Sequence, residues 1–181
     1  IRNVEKSAGL VATVGSDTGG SIRIPSALCG LVGLKPAFGE VPCDGVVPLS
    51  RRLDHVGPLA RSVRDARLLF EIMSGRAVTT LAAAPAVASI RVGLVRGYPL
   101  ALLQDEVARP FEAAVARLRE AGIAIVPVDV PRMVDAPAIY LPLVLAEAAA
   151  LFFFKDTATT EIYTAPVRTR LEMGRYVTGE D

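Results

Sequence analysis

The clearest hydrophobic pattern in the 181-residue chain is a strand–helix–strand unit in its second half. The apolar residues 90–95 predict one strand, and residues 123–130 predict another. Between them, the apolar positions of residues 105–121 recur at helical spacing, and Gly122 ends the predicted helix. The predicted inner face of this helix comprises Val107, Phe111, Ala114, Val115 and Leu118. Two strands joined by a helix predict a parallel pair with a right-handed crossover.

The first third of the chain is dominated by a short strand and a glycine-rich turn. Residues 10–14 are apolar and β-rich, which predicts a buried strand, and residues 15–21 form a tight loop after it. Pro25 favours the first turn of a helix, which we expect over residues 26–31. Residues 33–52 are rich in glycine and proline and predict an irregular loop.

A capping box marks the start of a further helix, because Ser62 is followed by Asp65 three residues later. The predicted apolar face of that helix comprises Val63, Ala66, Leu69, Phe70 and Met73. Residues 76–89 have no clear period and predict a linker, whereas residues 136–151 predict an apolar helix. Together these elements predict an α/β fold, with a mixed sheet flanked by helices, as one partial domain over residues 1–181.

The composition is that of an ordinary globular protein, with 51% hydrophobic and 22% charged residues. The net charge of +1 comes from interleaved acidic and basic side chains, so we expect no binding of nucleic acid or of a membrane surface. Cys29 and Cys43 form neither a disulfide framework nor a metal-binding spacing, which favours a reduced, cytoplasmic protein. The start of the chain lacks a signal-peptide pattern, and the longest apolar stretch, residues 139–154, is interrupted and short for a bilayer span.

The turn formed by Gly19, Gly20 and Ser21 is the strongest candidate for chemistry. The two glycines carry no side chain that would keep another molecule away from the backbone. Successive N–H groups from Thr18 to Ser21 can converge on one anionic atom, beside a serine able to attack a carbonyl. A phosphate cradle and a plain structural turn remain open alternatives. The Walker pattern is absent, since no Gly-Lys-Ser/Thr follows, and the Gly-x-Gly-x-x-Gly fingerprint is absent because residues 21–25 contain no glycine.

Several ordered blocks of the chain resemble the amidase signature family. In chain order these are residues 15–26 (GSDTGGSIRIPS), 29–36 (CGLVGLKP), 53–65 (LDHVGPLARSVRD) and the strand–helix–strand unit 90–131. The resemblance extends from Gly9 to about Pro131, and more loosely over residues 163–181. The three short blocks, 15–26, 29–36 and 53–65, stand in the right order at compatible spacing, which makes this a specific signal.

The resemblance implies hydrolysis of a small-molecule amide through a Ser–cis-Ser–Lys triad, with no metal and no organic cofactor. By position, Ser21 is the nucleophile. The resemblance assigns the oxyanion hole to the backbone amides of Thr18, Gly19, Gly20 and Ser21. In such enzymes a second serine relays the proton, and a desolvated neutral lysine is the final base.

The chain departs from the family pattern upstream of the nucleophile. The bridging serine of the family lies roughly two dozen residues before the nucleophile, but Ile1 is only 20 positions before Ser21. The catalytic lysine lies further upstream still. We therefore expect that the chain is an internal fragment and that the isolated fragment does not hydrolyse amides.

Other polar residues near the turn are predicted to support it. Asp17 is expected to accept backbone N–H groups of the loop, and Arg23 to pair with a carboxylate. The only histidine, His55, is assigned to packing or hydrogen bonding, because Ser21 lacks a Gly-x-Ser-x-Gly elbow. Lys35 belongs to a block that we interpret as structural, and nothing near Cys29 in the sequence would activate its thiol.

Two functions besides a general amidase stay open. The resemblance also fits the amidase-like subunit of a tRNA-dependent amidotransferase, which works with partner chains, although Ile24 after Arg23 favours the general amidases. A non-catalytic module that binds an anion at the glycines is the alternative from another class. Residues 152–164 fit neither a helical nor a strand period and resemble a translated sequencing adapter, so we place no functional residue there. The amide that is cleaved and the oligomeric state are not predicted.

Overall fold

The computed structural model divides the chain into two compact units, the first formed by residues 1–78 with 140–181 and the second by residues 79–139. The residues that the structure describes are 12–78, 86–153, 164–174 and 176–177. The predicted linker between 76 and 89 lies partly outside them, as do residues 154–163, which form most of the adapter-like segment.

The first unit is built on a three-stranded antiparallel sheet. Its elements up to residue 78 are β1 (Ala12–Asp17), α1 (Arg23–Leu28), β2 (Val32–Gly33), β3 (His55–Ala60) and α2 (Val63–Met73). The strand order is β1-β3-β2, so β3 is central. In the β1–β3 register Asp17 pairs with His55 and Ala12 with Ala60. The loop that carries Ser21 therefore leaves the sheet beside the start of β3.

The central strand explains where the core of this unit lies. Residues 56–60 of β3 are buried without alternation, which indicates that both faces of the strand are covered. Gly57 allows a close approach, because a Cβ at this position would overlap the carbonyl oxygen of Leu34. On the other side of the loop, Ile22 is completely buried directly before α1. The core thus holds both ends of the Ser21 loop.

The predicted N-cap of α2 at Ser62 is confirmed. Ser62 Oγ accepts a hydrogen bond from the Asp65 N–H at 3.2 Å and donates one to Asp65 Oδ2 at 2.7 Å. The predicted apolar face needs one correction, because Val63 is 72% exposed. Val63 is the first residue of the helix, whereas Ala66 one turn later is buried.

Two further helices complete the first unit. These are α5 (Ala136–Phe153), which belongs to it from Tyr140 onward, and α6 (Ala165–Gly174). The buried residues of α5, Val144, Leu145, Ala148 and Ala149, share one face. A Cβ on Gly174 would overlap the Leu145 carbonyl, so the two helices touch closely there.

Among the described residues, one helical stretch, Met133–Leu151, is long and apolar enough to cross a membrane, and 17% of it is buried. However, Glu147 in α5 pairs with Arg52 (Nε to Oε1, 3.1 Å) and accepts a hydrogen bond from Ser50 Oγ. The buried residues and the ion pair place one face of α5 against the first unit.

The second unit confirms the predicted strand–helix–strand. After a 3-10 turn (Val87–Ser89) come β4 (Arg91–Val95), α3 (Tyr98–Ala101), α4 (Asp105–Glu120), β5 (Ala124–Val128) and a second 3-10 turn (Met133–Asp135). Strands β4 and β5 pair in parallel, Arg91 opposite Ala124. The apolar face of α4 is narrower than predicted, because Val107 is 53% exposed while Val115 is buried.

The fold class is α/β, as predicted, with antiparallel and parallel strands and flanking helices. Strand β1 extends to Asp17, beyond the predicted end at residue 14, and α1 begins at Arg23 instead of residue 26. The sequence pattern does not predict the strands β2 and β3.

Candidate functional site

The loop between β1 and α1 presents Ser21 to solvent. It consists of residues 18–22, and Ser21 is exposed although Ile22 next to it is completely buried. The buried isoleucine anchors the loop, so that the preceding hydroxyl stays at the surface. Ser21 is therefore accessible to a molecule from solution.

Asp17, at the end of β1, holds the loop together from inside. Its completely buried carboxylate accepts hydrogen bonds from the N–H groups of Gly20 (2.7 Å) and Ile22 (3.1 Å). Arg23 adds two more, from Nε to Oδ2 and from Nη2 to Oδ1, both at 3.0 Å. This bidentate pair fixes the start of α1 relative to the end of β1.

The same contacts set the charge of Asp17. Burial by itself raises the pKa of the carboxyl group, but the hydrogen bonds from Arg23, Ile22 and Gly20 outweigh it and lower the pKa to about 2. The pKa of Arg23 is raised, chiefly by its hydrogen bond to Asp17. Asp17 is thus negatively charged and Arg23 positively charged at neutral pH.

The two glycines are required by close approach. Gly20 has a φ of 134°, and a Cβ there would lie 2.6 Å from Ile24 Cδ1. A Cβ on Gly19 would overlap the hydroxyl group of Tyr140, a residue of α5 that the sequence did not single out. A side chain at position 20 would strain this backbone conformation, and one at position 19 would require the Tyr140 side chain to move.

Of the backbone amides of residues 18–21, one is bonded to Asp17 and three have no hydrogen-bond partner among the described residues. The Gly20 N–H is committed to the Asp17 carboxylate. In the part of the chain that the structure describes, the N–H groups of Thr18, Gly19 and Ser21 form no hydrogen bond. These three amide donors are unpaired among the described residues, whereas Asp17 holds the Gly20 N–H.

A second carboxylate, Asp54, holds the beginning of the loop. Its Oδ1 accepts a hydrogen bond from Thr18 Oγ1 at 2.6 Å, and its Oδ2 accepts from the N–H groups of Leu49 (2.7 Å) and Ser50 (3.0 Å). Sequence reasoning missed this residue, although Asp54 lies in one of the blocks that resemble the family. The signal that could have found it was its place directly before β3, opposite the end of β1.

The other residues weighed from the sequence have structural contacts. His55 Nδ1 is 2.7 Å from the Leu53 carbonyl oxygen, so this nitrogen carries the proton, and the ring packs edge-on against Phe38. Lys35 Nζ donates to the Pro36 carbonyl at 2.8 Å. Burial and the carboxylates of nearby aspartates raise the pKa of the Cys43 thiol, which disfavours a thiolate nucleophile there.

A cavity of about 430 Å³ lies in the loop between β2 and β3. Its lining includes Phe38, Val41, Cys43, Val46, Arg51 and Asp54. Ser21 does not line it, and Asp54 is the residue that connects the cavity wall to the Ser21 loop. Among the described residues, no three His, Cys, Asp or Glu side chains are grouped as a metal ion requires.

A scan against family models matches residues 7–178 to the family described as Amidase. An amidase of Pseudomonas putida is 37% identical over 180 residues, covering 92% of this chain and 39% of that protein. The A subunit of the glutamyl-tRNA(Gln) amidotransferase of Bdellovibrio bacteriovorus is 37% identical over 153 residues, covering 78% of this chain and 31% of the relative.

Solved structures agree with these matches. A crystal structure of an amidase superposes with a TM-score of 0.81 at 36% identity, covering 93% of this chain and 38% of the other. The A subunit of the glutamyl-tRNA(Gln) amidotransferase of Thermotoga maritima superposes with a TM-score of 0.69 at 32% identity, covering 92% and 38%. The chain spans 31% to 39% of the length of these four proteins.

Proposed function

This chain belongs to the amidase family, and on that premise we propose that the intact protein hydrolyses the C–N bond of a carboxamide with Ser21 as the nucleophile. One observation carries the proposal. The Ser21 hydroxyl is exposed on a loop that buried groups hold in place, and three backbone amides of that loop have no hydrogen-bond partner among the described residues. The family match names the reaction, and the loop supplies a nucleophile with donors for the charge that the reaction develops.

In the proposed reaction Ser21 Oγ attacks the amide carbon, and the carbonyl oxygen becomes an oxyanion. The N–H groups of Thr18, Gly19 and Ser21 donate to this oxyanion. The C–N bond then breaks, the amine leaves with a proton, and an ester to Ser21 remains. Water hydrolyses the ester, which releases the carboxylic acid and restores the hydroxyl.

The family resemblance assigns the base to a bridging serine and a lysine, and the chain covers 39% of the length of a related amidase, so the proposal concerns the intact protein. We expect the 181-residue chain alone to be inactive. The proposed steps use hydroxyl, amine and amide groups, and they call for no metal and no organic cofactor. We also propose a cytoplasmic location, which the free cysteines Cys29 and Cys43 support.

Asp17 and Arg23 act in this proposal without touching the substrate. Their ion pair ties the end of β1 to the start of α1, and Asp17 also holds the Gly20 and Ile22 amides. The loop is thereby fixed before the substrate arrives. A preorganised oxyanion hole is valuable, since losing one donor typically costs about 3 kcal/mol of barrier.

A fluorophosphonate probe tests the assignment of the nucleophile. In the intact protein we expect one serine to be labelled, and we expect Ser21→Ala to abolish both the label and amide hydrolysis. Ser16→Ala is the matched control, because Ser16 is an exposed serine of the adjacent strand. Labelling that persists in Ser21→Ala, or disappears in Ser16→Ala, contradicts the assignment. Anion binding without any labelling would instead indicate a non-catalytic module.

A second candidate is the amidase-like component of a glutamyl-tRNA(Gln) amidotransferase. Three relatives of that kind are 36–38% identical to this chain, which is the same level of identity as for the general amidase. The two candidates differ in what the protein requires. Ammonia release from glutamine only in the presence of partner chains supports the amidotransferase component, whereas hydrolysis of simple amides by the protein alone supports the general amidase.

A further inference from the structure

Two carboxylates hold the Ser21 loop. Asp17 directly precedes the loop in the sequence, whereas Asp54 lies 36 residues from Thr18. Asp17 holds the second half of the loop, at Gly20 and Ile22. The first half depends on the hydrogen bond from Thr18 Oγ1 to Asp54 Oδ1, at 2.6 Å. A hydrogen bond to a charged acceptor at this distance is short and strong.

Asp54 is itself fixed in place. Its second oxygen accepts from the amides of Leu49 and Ser50, so both carboxylate oxygens are used. Ser50 is completely buried, and its hydroxyl donates to Glu147 Oε2 of α5 at 2.7 Å. Asp54, which accepts the hydrogen bond from Thr18, therefore belongs to a hydrogen-bond network that extends to α5.

The position of Asp54 follows from the sheet. Asp17 and His55 form the last pair of the β1–β3 ladder, so Thr18 and Asp54 are the next residues along each chain. Beyond that pair the loop continues with Gly19 and Gly20, which impose almost no preference on their own backbone angles. Without an external tie, the peptide between Thr18 and Gly19 is free to rotate, and the direction of the Gly19 N–H changes with it.

We propose that Asp54 is a positioning residue for the oxyanion-binding amides, acting through the hydroxyl group of Thr18; this inference rests on the function proposed above. Asp54 does not touch the substrate. It fixes the peptide planes at Thr18 and Gly19, while Asp17 fixes those at Gly20 and Ile22. The two carboxylates hold opposite ends of the segment that must meet the developing charge, and a displacement of about 1 Å there costs up to about 100-fold in rate.

The experiment measures labelling of Ser21 in the intact protein by a fluorophosphonate, as the maximal rate and the half-saturating probe concentration. Thr18→Val and Asp54→Ala are each expected to lower the maximal rate at least about tenfold and to leave the half-saturating concentration within about twofold. Thr18→Ser keeps the hydroxyl group and is expected to retain the rate. The matched control is Thr13→Val in β1, which is expected to change neither value.

The double variant separates positioning from general loss of stability. Since Thr18→Val and Asp54→Ala remove the same hydrogen bond, their combination is expected to be no slower than the slower single variant. If the effects multiply, or if Thr18→Val labels at the wild-type rate, the positioning role is overturned while the proposed nucleophile stands. If wild-type Ser21 is not labelled, the proposed function fails and this inference fails with it. Should Asp54→Ala not fold, the comparison of Thr18→Val with Thr18→Ser still decides.

Discussion

Burial raises the pKa of Asp17, but hydrogen bonds lower it by more, and this net shift makes the stability of the first unit depend on pH. The pKa of Asp17 falls from 3.8 to about 2 on folding. A lowered pKa stabilises the folded state above the unfolded-state pKa, and the gain is lost as the pH falls through the folded-state pKa. We expect the free energy of unfolding to lose about 2 kcal/mol between pH 4 and pH 2 through this group.

Urea unfolding of wild type and Asp17→Asn from pH 6 to pH 2 measures this contribution. The difference in unfolding free energy between the two proteins should shrink as the pH falls below 4, because the asparagine cannot titrate. Asp129→Asn, which alters an exposed carboxylate, serves as the control and should track wild type. A constant difference between wild type and Asp17→Asn over the whole range would contradict the assigned pKa.

The sequence identified the site residues whose partners lie nearby in the chain, and it missed those whose partners lie far away. Asp17 and Arg23 could be assigned to the loop, since they lie six residues apart around it. Asp54 lies 36 residues from Thr18, and no local pattern indicates that the two meet. Tyr140 reaches Gly19 across an even longer separation. Such contacts follow from the sheet register and the helix packing, which the sequence pattern alone does not fix.

At the scale of single elements, the cap of α2 offers a local test of stability. Ser62→Ala removes the side-chain oxygen that accepts the Asp65 N–H, and we expect a loss of about 1 kcal/mol in the free energy of unfolding. Ser74→Ala is the matched control, because Ser74 Oγ donates to a helix carbonyl, that of Glu71, at the other end. Chemical denaturation compares them, and an equal loss for both variants would contradict the capping role.

The element that the sequence pattern failed to reveal is the central strand β3. Its middle residues are Gly57 and Pro58, which sequence rules associate with turns. The structure uses the glycine for close contact with the Leu34 carbonyl and buries the proline completely. Because both faces are covered, residues 56–60 lack the polar alternation that identifies a half-buried strand. The strand–helix–strand of the second unit, in contrast, was predictable from its own periodicity.

At the scale of the whole molecule, each of the two units contains its own sheet. The strands β1 to β3 belong to one sheet and the strands β4 and β5 to another, each with its own buried leucine. Leu59 is 3% exposed in the first sheet and Leu94 is 7% exposed in the second. Truncating a buried leucine to alanine typically costs about 2 to 5 kcal/mol.

Matched leucine truncations therefore test whether the units open independently. Leu94→Ala should accelerate amide hydrogen exchange in β4, β5 and α4, and should leave the amides of β1 and β3 near their wild-type rates, because local openings follow cooperative units. Leu59→Ala should produce the reverse pattern. Mass spectrometry of peptides from each sheet measures both. If either substitution accelerates exchange equally in the two sheets, the chain unfolds as one cooperative body, and the core around Ile22 that anchors the Ser21 loop then depends on the second unit as well.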